Sequence, residues 1–234
     1  MTNTPKKPVT LEQLLRRGDI WRGHSRVFIS QEVCSSGFSE FDKALLNGGW
    51  PKGSLIECCC QHDAFTGEWL MFRPAITALC KKYPEYFLVL LNPPAIPFAP
   101  ALIQRGIPLN QLLVVESKSK QDFIACFTEF TRSAHCLMLL SWQTPYSLNY
   151  TELRKCQLAS TEGRSIYTLF RPNYAKNQSS PAPLRITLEF ESTALQIEIF
   201  KQRGLFNNRR VAIPLNEDAE YFANFARDLG SQYV

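Results

Sequence analysis

Five short runs of nearly uninterrupted apolar residues constrain this chain most: 55–60, 86–91, 112–115, 136–140 and 166–170. A strand covered on one face alternates polar and apolar residues. A strand that is apolar throughout must be covered on both faces. Stretches with helical spacing separate the runs, at 68–82, 99–105, 120–133 and 151–161. Pro74 inside the first of these marks a kink or a late start. In the helix at 120–133, Phe123, Ile124, Phe127 and Phe130 are expected to point inward. Strands that alternate with helices in this way predict an α/β fold in three layers, with a mostly parallel central sheet and helices on both faces. Residues 173–183 read as a loop. Residues 184–190 and 195–200 then alternate around Glu191-Ser192-Thr193, which predicts a C-terminal antiparallel hairpin closing the sheet. Beyond Gly204 no core pattern is expected until Tyr221, Phe222, Phe225 and Leu229, which have helical spacing.

The chain has 234 residues, 45% hydrophobic and 20% charged, enough for one substantial core. Its longest apolar runs fall far short of the roughly 18 residues a membrane helix needs. The opening MTNTPKKPVTLEQLLRRG has no apolar stretch of the secretory kind. A cytoplasmic protein with no membrane association is therefore expected. Leu11, Leu14 and Leu15 predict a short N-terminal helix, with Thr10 as its cap. Eight cysteines occur, none in C-x-x-C spacing. They read as small buried hydrophobes in a reducing compartment, with a site built from Cys58, Cys60 and His62 as the alternative. His24, His62 and His135 are scattered. No metal and no cofactor are expected.

The stretch from Cys34 to Gly53, CSSGFSEFDKALLNGGWPKG, resembles the lead-in to the RecA-type ATPase core. There, T-G-x-x-x-L-D-x-x-L-x-G-G-x-P-x-G feeds the first core strand. Residues 105–115 and Thr131-Arg132-Ser133-Ala134 continue the likeness, which covers roughly residues 34–203. Within that superfamily the chain resembles the ImuA family of translesion-synthesis accessory proteins and its SulA-like relatives. The features that carry this are Trp21-Arg22-Gly23, Gly48-Gly49-Trp50-Pro51, Pro93-Pro94, residues 97–100 and 153–159, Phe170-Arg171-Pro172, residues 181–185 and Lys201-Gln202-Arg203-Gly204. The resemblance implies a leading segment at 1–33, a RecA-like core at 34–203 and a tail at 204–234.

A working phosphate loop needs G-x-x-x-x-G-K-[ST] after the first strand: glycines for close backbone approach, Lys for charge, a hydroxyl for magnesium. Here the segment runs Cys60-Gln61-His62-Asp63-Ala64-Phe65-Thr66-Gly67-Glu68-Trp69. Gly67 alone fits. Glu68 stands where Lys belongs, and Trp69 where the hydroxyl belongs. Asp63 and Glu68 would repel a triphosphate. The strand ending Leu91-Asn92 lacks a carboxylate to polarise water, and Leu139-Leu140-Ser141 lacks the acid expected near magnesium. A degenerate phosphate loop on a non-catalytic scaffold is expected, so function should reside on surfaces.

Overall the formal charge is +5, unevenly spread. Lys6, Lys7, Arg16, Arg17, Arg22 and Arg26 outweigh Glu12 and Asp19 near the N-terminus. Lys201, Arg203, Arg209 and Arg210 have no acid among them, while Glu217, Asp218, Glu220 and Asp228 make the end acidic. The basic stretch, with Phe206, suits single-stranded DNA or is a solvated loop. Trp21 and Trp50 read first as core caps; otherwise they are, with Arg22, candidate partner contacts.

The family resemblance implies a non-catalytic accessory protein of damage-induced translesion synthesis. Its implied partners are an ImuB-like protein, an error-prone replicative polymerase and RecA. A SulA-like division inhibitor that binds FtsZ is the second reading. An ATP-dependent recombinase-like enzyme is the third.

Overall fold

The computed structural model describes residues 31–60, 68–143, 145–190, 194–203 and 208–214. A short ribbon, β1 (Val33–Cys34) antiparallel to β2 (Trp50–Pro51), precedes the main sheet. Helix α1 (Ser39–Ala44) lies between them. The turn after α1 places Asn47 at φ 62° and Gly48 at φ 78°, in the left-handed region. A Cβ on Gly49 would stand 2.5 Å from the Cys34 carbonyl oxygen, so the ribbon closes only over a bare α-carbon. Gly49→Ala is expected to cost about 1–3 kcal/mol, since backbone and not a flexible side chain would have to move. A urea midpoint unchanged from the parent would contradict it.

The apolar runs become β3 (Ser54–Cys60), β4 (Phe87–Leu91), β5 (Leu112–Val115), β6 (Cys136–Trp142) and β7 (Ile166–Pro172). They are followed by β8 (Leu184–Phe190), β9 (Ala194–Gln202) and β10 (Arg209–Pro214). The sheet order is β10-β9-β8-β3-β7-β6-β4-β5. Strands from β8 to β5 pair in parallel, and β9 and β10 are antiparallel. The α/β architecture with a mostly parallel sheet and a C-terminal antiparallel hairpin is thus present.

Two apolar layers sandwich the sheet. On one face, α1, α2 (Arg73–Lys82) and α3 (Ala99–Gln104) cover Ile56, Cys58, Leu88, Leu90, Met138 and Leu140. On the other, α4 (Lys120–Arg132) and α5 (Tyr150–Glu162) cover Leu55, Val89, Leu91, Leu139 and Leu169. Helix α4 starts where the Ser119 hydroxyl accepts from the Asp122 amide, and it buries Phe123 and Phe127 fully, with Ile124 and Phe130 half-buried. Helix α5 starts with a reciprocal cap between Asn149 and Glu152, whose hydrogen bonds measure 2.8 and 2.9 Å.

Two expectations change. The helix read over 68–82 is a tight 3-10 turn at Glu68–Phe72 followed by α2, so Pro74 sits in the first helical turn, where its missing N–H costs nothing. Residues 209–214 are not tail but the edge strand β10, with Ile213 buried on the sheet. Their single inward alternation beside Arg209 and Arg210 is too short for a strand pattern to stand out. Residues 1–30, with the expected N-terminal helix, Trp21 and Arg22, lie outside the described residues. So do His62, Phe206 and the helix at 221–229.

Candidate functional site

In an open parallel sheet, ligands bind beyond the carboxyl ends of the strands, and the phosphate loop would follow β3 there. Cys60 is the last residue of β3 and is buried, and Gly67 lies outside the described residues. Glu68 opens the 3-10 turn that leads into α2. Trp69, in the position of the magnesium-binding hydroxyl, is buried in the first apolar layer beside Met71 and Phe72. A ring chain runs through this layer. Phe41 meets Trp50 edge-on at 4.9 Å, Trp50 stacks on Phe72 at 4.3 Å, Phe72 meets Phe170 at 6.2 Å, and Phe170 stacks on Trp142 at 4.8 Å. Trp142 ends β6, so the chain of rings reaches the carboxyl edge.

The other two positions where catalytic groups would stand hold polar residues engaged within the fold. Asn92, just past β4, sits at φ 52°, a conformation Asn tolerates better than most residues. Its Nδ2 donates to Ser117 Oγ at 2.8 Å, and its Oδ1 accepts from the Ser117 amide at 2.7 Å. The Asn92 amide donates to the Val115 carbonyl. Asn92 therefore clasps the ends of β4 and β5. On β6, Ser141 is fully buried and its Oγ donates to the Thr168 carbonyl of β7 at 2.7 Å. Both side chains are spent on joining neighbouring strands.

A buried charge cluster that no sequence motif discloses lies on the second face. Glu57, in the middle of β3, is fully buried. Its carboxylate accepts from Arg171 of β7 at 3.2 Å and from Arg185 of β8 at 2.8 Å. Ser180 donates to its other oxygen. Arg171 also donates to Gln143 at 2.7 Å and to Gln178 at 2.8 Å, and Arg185 donates to the Ala175 carbonyl at 2.7 Å. Arg185 lies 4.8 Å from the centre of the Phe200 ring. The cause is topological. β7 and β8 both run parallel to β3, so residues 173–183 must cross this face, and they do so as a 3-10 turn (Asn173–Asn177) and coil. Such a crossover lacks the internal hydrogen bonds of a helix, and its buried backbone groups need side-chain partners. The signal was visible as one Glu and two Arg inside otherwise apolar runs.

The basic stretch at 201–210 divides. Lys201, half-buried on β9, turns inward and donates to the Ser180 carbonyl at 2.7 Å, and burial holds its ammonium pKa below the usual lysine range. Arg209 donates to the Lys43 and Ala44 carbonyls at 3.2 and 3.3 Å, at the C-terminal end of α1. Arg203 and Arg210 are exposed. Arg209 therefore remains exposed while it bonds the end of α1, whereas Lys201 is tied into the fold. Trp50 is likewise no surface anchor. It is fully buried, since the Asn47–Gly49 turn and the β1–β2 pairing direct its ring onto Phe72.

Cys58 and Cys60 are buried in the apolar layer. Among the described residues no group of three or more His, Cys, Asp or Glu side chains could hold a metal ion. No described helix is long and apolar enough to cross a membrane. No protein-family model matches the chain, and no curated protein matches it either.

Proposed function

We infer that this chain is a non-catalytic, RecA-like platform that works by docking other proteins in the cytoplasm. One observation carries the reading. At the carboxyl edge, Trp69 is part of the core, Asn92 is clasped to Ser117, and Ser141 is bonded to Thr168. A nucleotide at this edge would have to displace packing and hydrogen bonds that join the strands themselves. The sequence resemblance to the ImuA family supplies the biological context: accessory work in damage-induced translesion synthesis beside an ImuB-like protein, an error-prone polymerase and RecA. Any contact with single-stranded DNA would fall to the exposed basic side chains Arg203, Arg209 and Arg210.

Two measurements test this. Titration calorimetry with a non-hydrolysable ATP analogue and magnesium at millimolar concentration is expected to give no binding heat. Saturable heat would overturn the non-catalytic reading. A pull-down with a folded ImuB-like protein is expected to recover the complex. Recovery of nothing, together with inhibition of FtsZ sedimentation, would move the chain to the division-inhibitor class.

A further inference from the structure

Among the described residues, the most exposed apolar surface lies at the opposite end of the sheet from the basic strand. Ile96, Phe98, Ile103, Leu109, Leu113 and Val114 are all exposed, Ile96 at 87% and Phe98 at 66%. They follow one another between the end of β4 and the end of β5. Strand β5 is the edge of the sheet, pairing only with β4 among the described strands. Its sequence is Leu-Leu-Val-Val, with none of the charges, prolines or bulges that protect open edges. At the other edge, β10 carries two arginines and ends in Pro214.

We propose that β5 pairs antiparallel with β5 of a second copy of this chain, across a two-fold axis at Leu113. The backbone sets the register. The Val115 carbonyl accepts from the Asn92 amide, so it points toward β4. Backbone groups alternate sides along a strand, so those of Leu112 and Val114 point to the open edge. Residues directly opposite in an antiparallel pair face the same side of the sheet. A two-fold axis at Leu113 meets both conditions: Leu112 exchanges hydrogen bonds with Val114 of the second copy, and Leu113 faces its own counterpart. An axis at Val114 would instead set Leu112 against Glu116. With the axis at Leu113, no two like charges stand directly opposite. The partner's chemistry is matched on both faces, since Leu113 lies on one side of the strand and Val114 on the other.

The area agrees with this occupant. At surfaces of roughly 150–200 Å² for a large apolar residue, the six side chains expose roughly 600 Å² per copy. Covering them on both copies would bury roughly 1,200 Å², the lower end for a specific interface. That size fits a dimer in exchange with its monomer.

Sedimentation equilibrium of the full chain with reductant should show a concentration-dependent dimer. Val114→Pro removes one outward N–H per copy and should raise the dissociation constant roughly tenfold or more. Leu113→Lys should do the same by setting two charges together on the axis, and it covers the case in which the proline variant does not fold. Leu113→Cys gives a positive test. Opposed residues of a non-hydrogen-bonded pair stand about 4.5 Å apart at Cα, within disulfide range. Oxidation should therefore link Leu113→Cys into a covalent dimer well above the parent's background, whereas Leu112→Cys should not link. A chain that stays monomeric at high concentration would overturn the proposal. So would a dimer indifferent to both edge substitutions, which would place the interface elsewhere.

Discussion

Glu57→Gln is expected to destabilise the protein by about 3–5 kcal/mol, although it alters neither volume nor shape. The cluster holds one carboxylate against two guanidinium groups, all buried. Removing the single anion leaves two buried cations facing each other without a counter-charge. Removing one arginine has a different result. Arg171→Gln leaves Glu57 paired with Arg185, and Arg185→Gln leaves it paired with Arg171. Each arginine variant should therefore cost less than Glu57→Gln. Urea unfolding of the three variants measures the order. Equal losses, or a Glu57→Gln loss below about 1 kcal/mol, would mean that water reaches the cluster. Far-UV spectra are expected to stay native, because the cluster ties down one crossover and not the whole sheet.

Raising the pH above 9 should weaken the fold steeply. Burial pushes the thiols of Cys59 and Cys80 up to about 11, and those of Cys136 and Cys156 up to about 12, from an ordinary value of 9.0. Above pH 9 the unfolded chain releases these protons while the folded chain keeps them. Stability then falls as pH rises, by about 1.4 kcal/mol per pH unit for each thiol. The stabilisation is complete below pH 9. It is lost between 9 and 11 for the first pair and continues to fall to 12 for the second. Burial also raises the Tyr167 phenol above its usual value of 10.0, which acts in the same direction. Four thiols together should remove several kcal/mol by pH 10.5. Urea midpoints from pH 7 to 10.5 in reductant test this, and Cys156→Ala should make the slope shallower. A flat profile across that range would contradict it.

The positions of the strands were readable because burial on both faces leaves an unmistakable composition. β4 and β5 match the apolar runs at 86–91 and 112–115 to within a residue. β6 and β7 extend two residues further than expected, through Trp142 and Pro172. Those ends are occupied by Ser141, Trp142 and Arg171, which read as strand termini until their neighbours are known. β10 stayed hidden for a related reason: an edge strand needs few apolar residues, and Ile213 alone is deeply buried there.

The chemistry of the carboxyl edge was partly visible. A missing lysine, carboxylate and hydroxyl can be read directly from residue identity. What fills the space cannot. Local sequence does not tell that Asn92 reaches Ser117, 25 residues away, or that Trp50 stacks on Phe72. The core-cap reading of Trp50 is the one the structure bears out, and the glycines beside it allow the turn to fold its ring inward.

Residue order alone thus determined the layered α/β class, the sheet's largely parallel character and the absence of a G-x-x-x-x-G-K-[ST] sequence after the first core strand. These follow from periodicity and side-chain identity, which act within a few neighbours along the chain. Only the tertiary structure decided which basic residues face solvent, why a glutamate lies inside a core strand, and which sheet edge is left open. Each of those depends on partners that are not chain neighbours, more than a hundred positions apart in the case of Glu57 with Arg171 and Arg185.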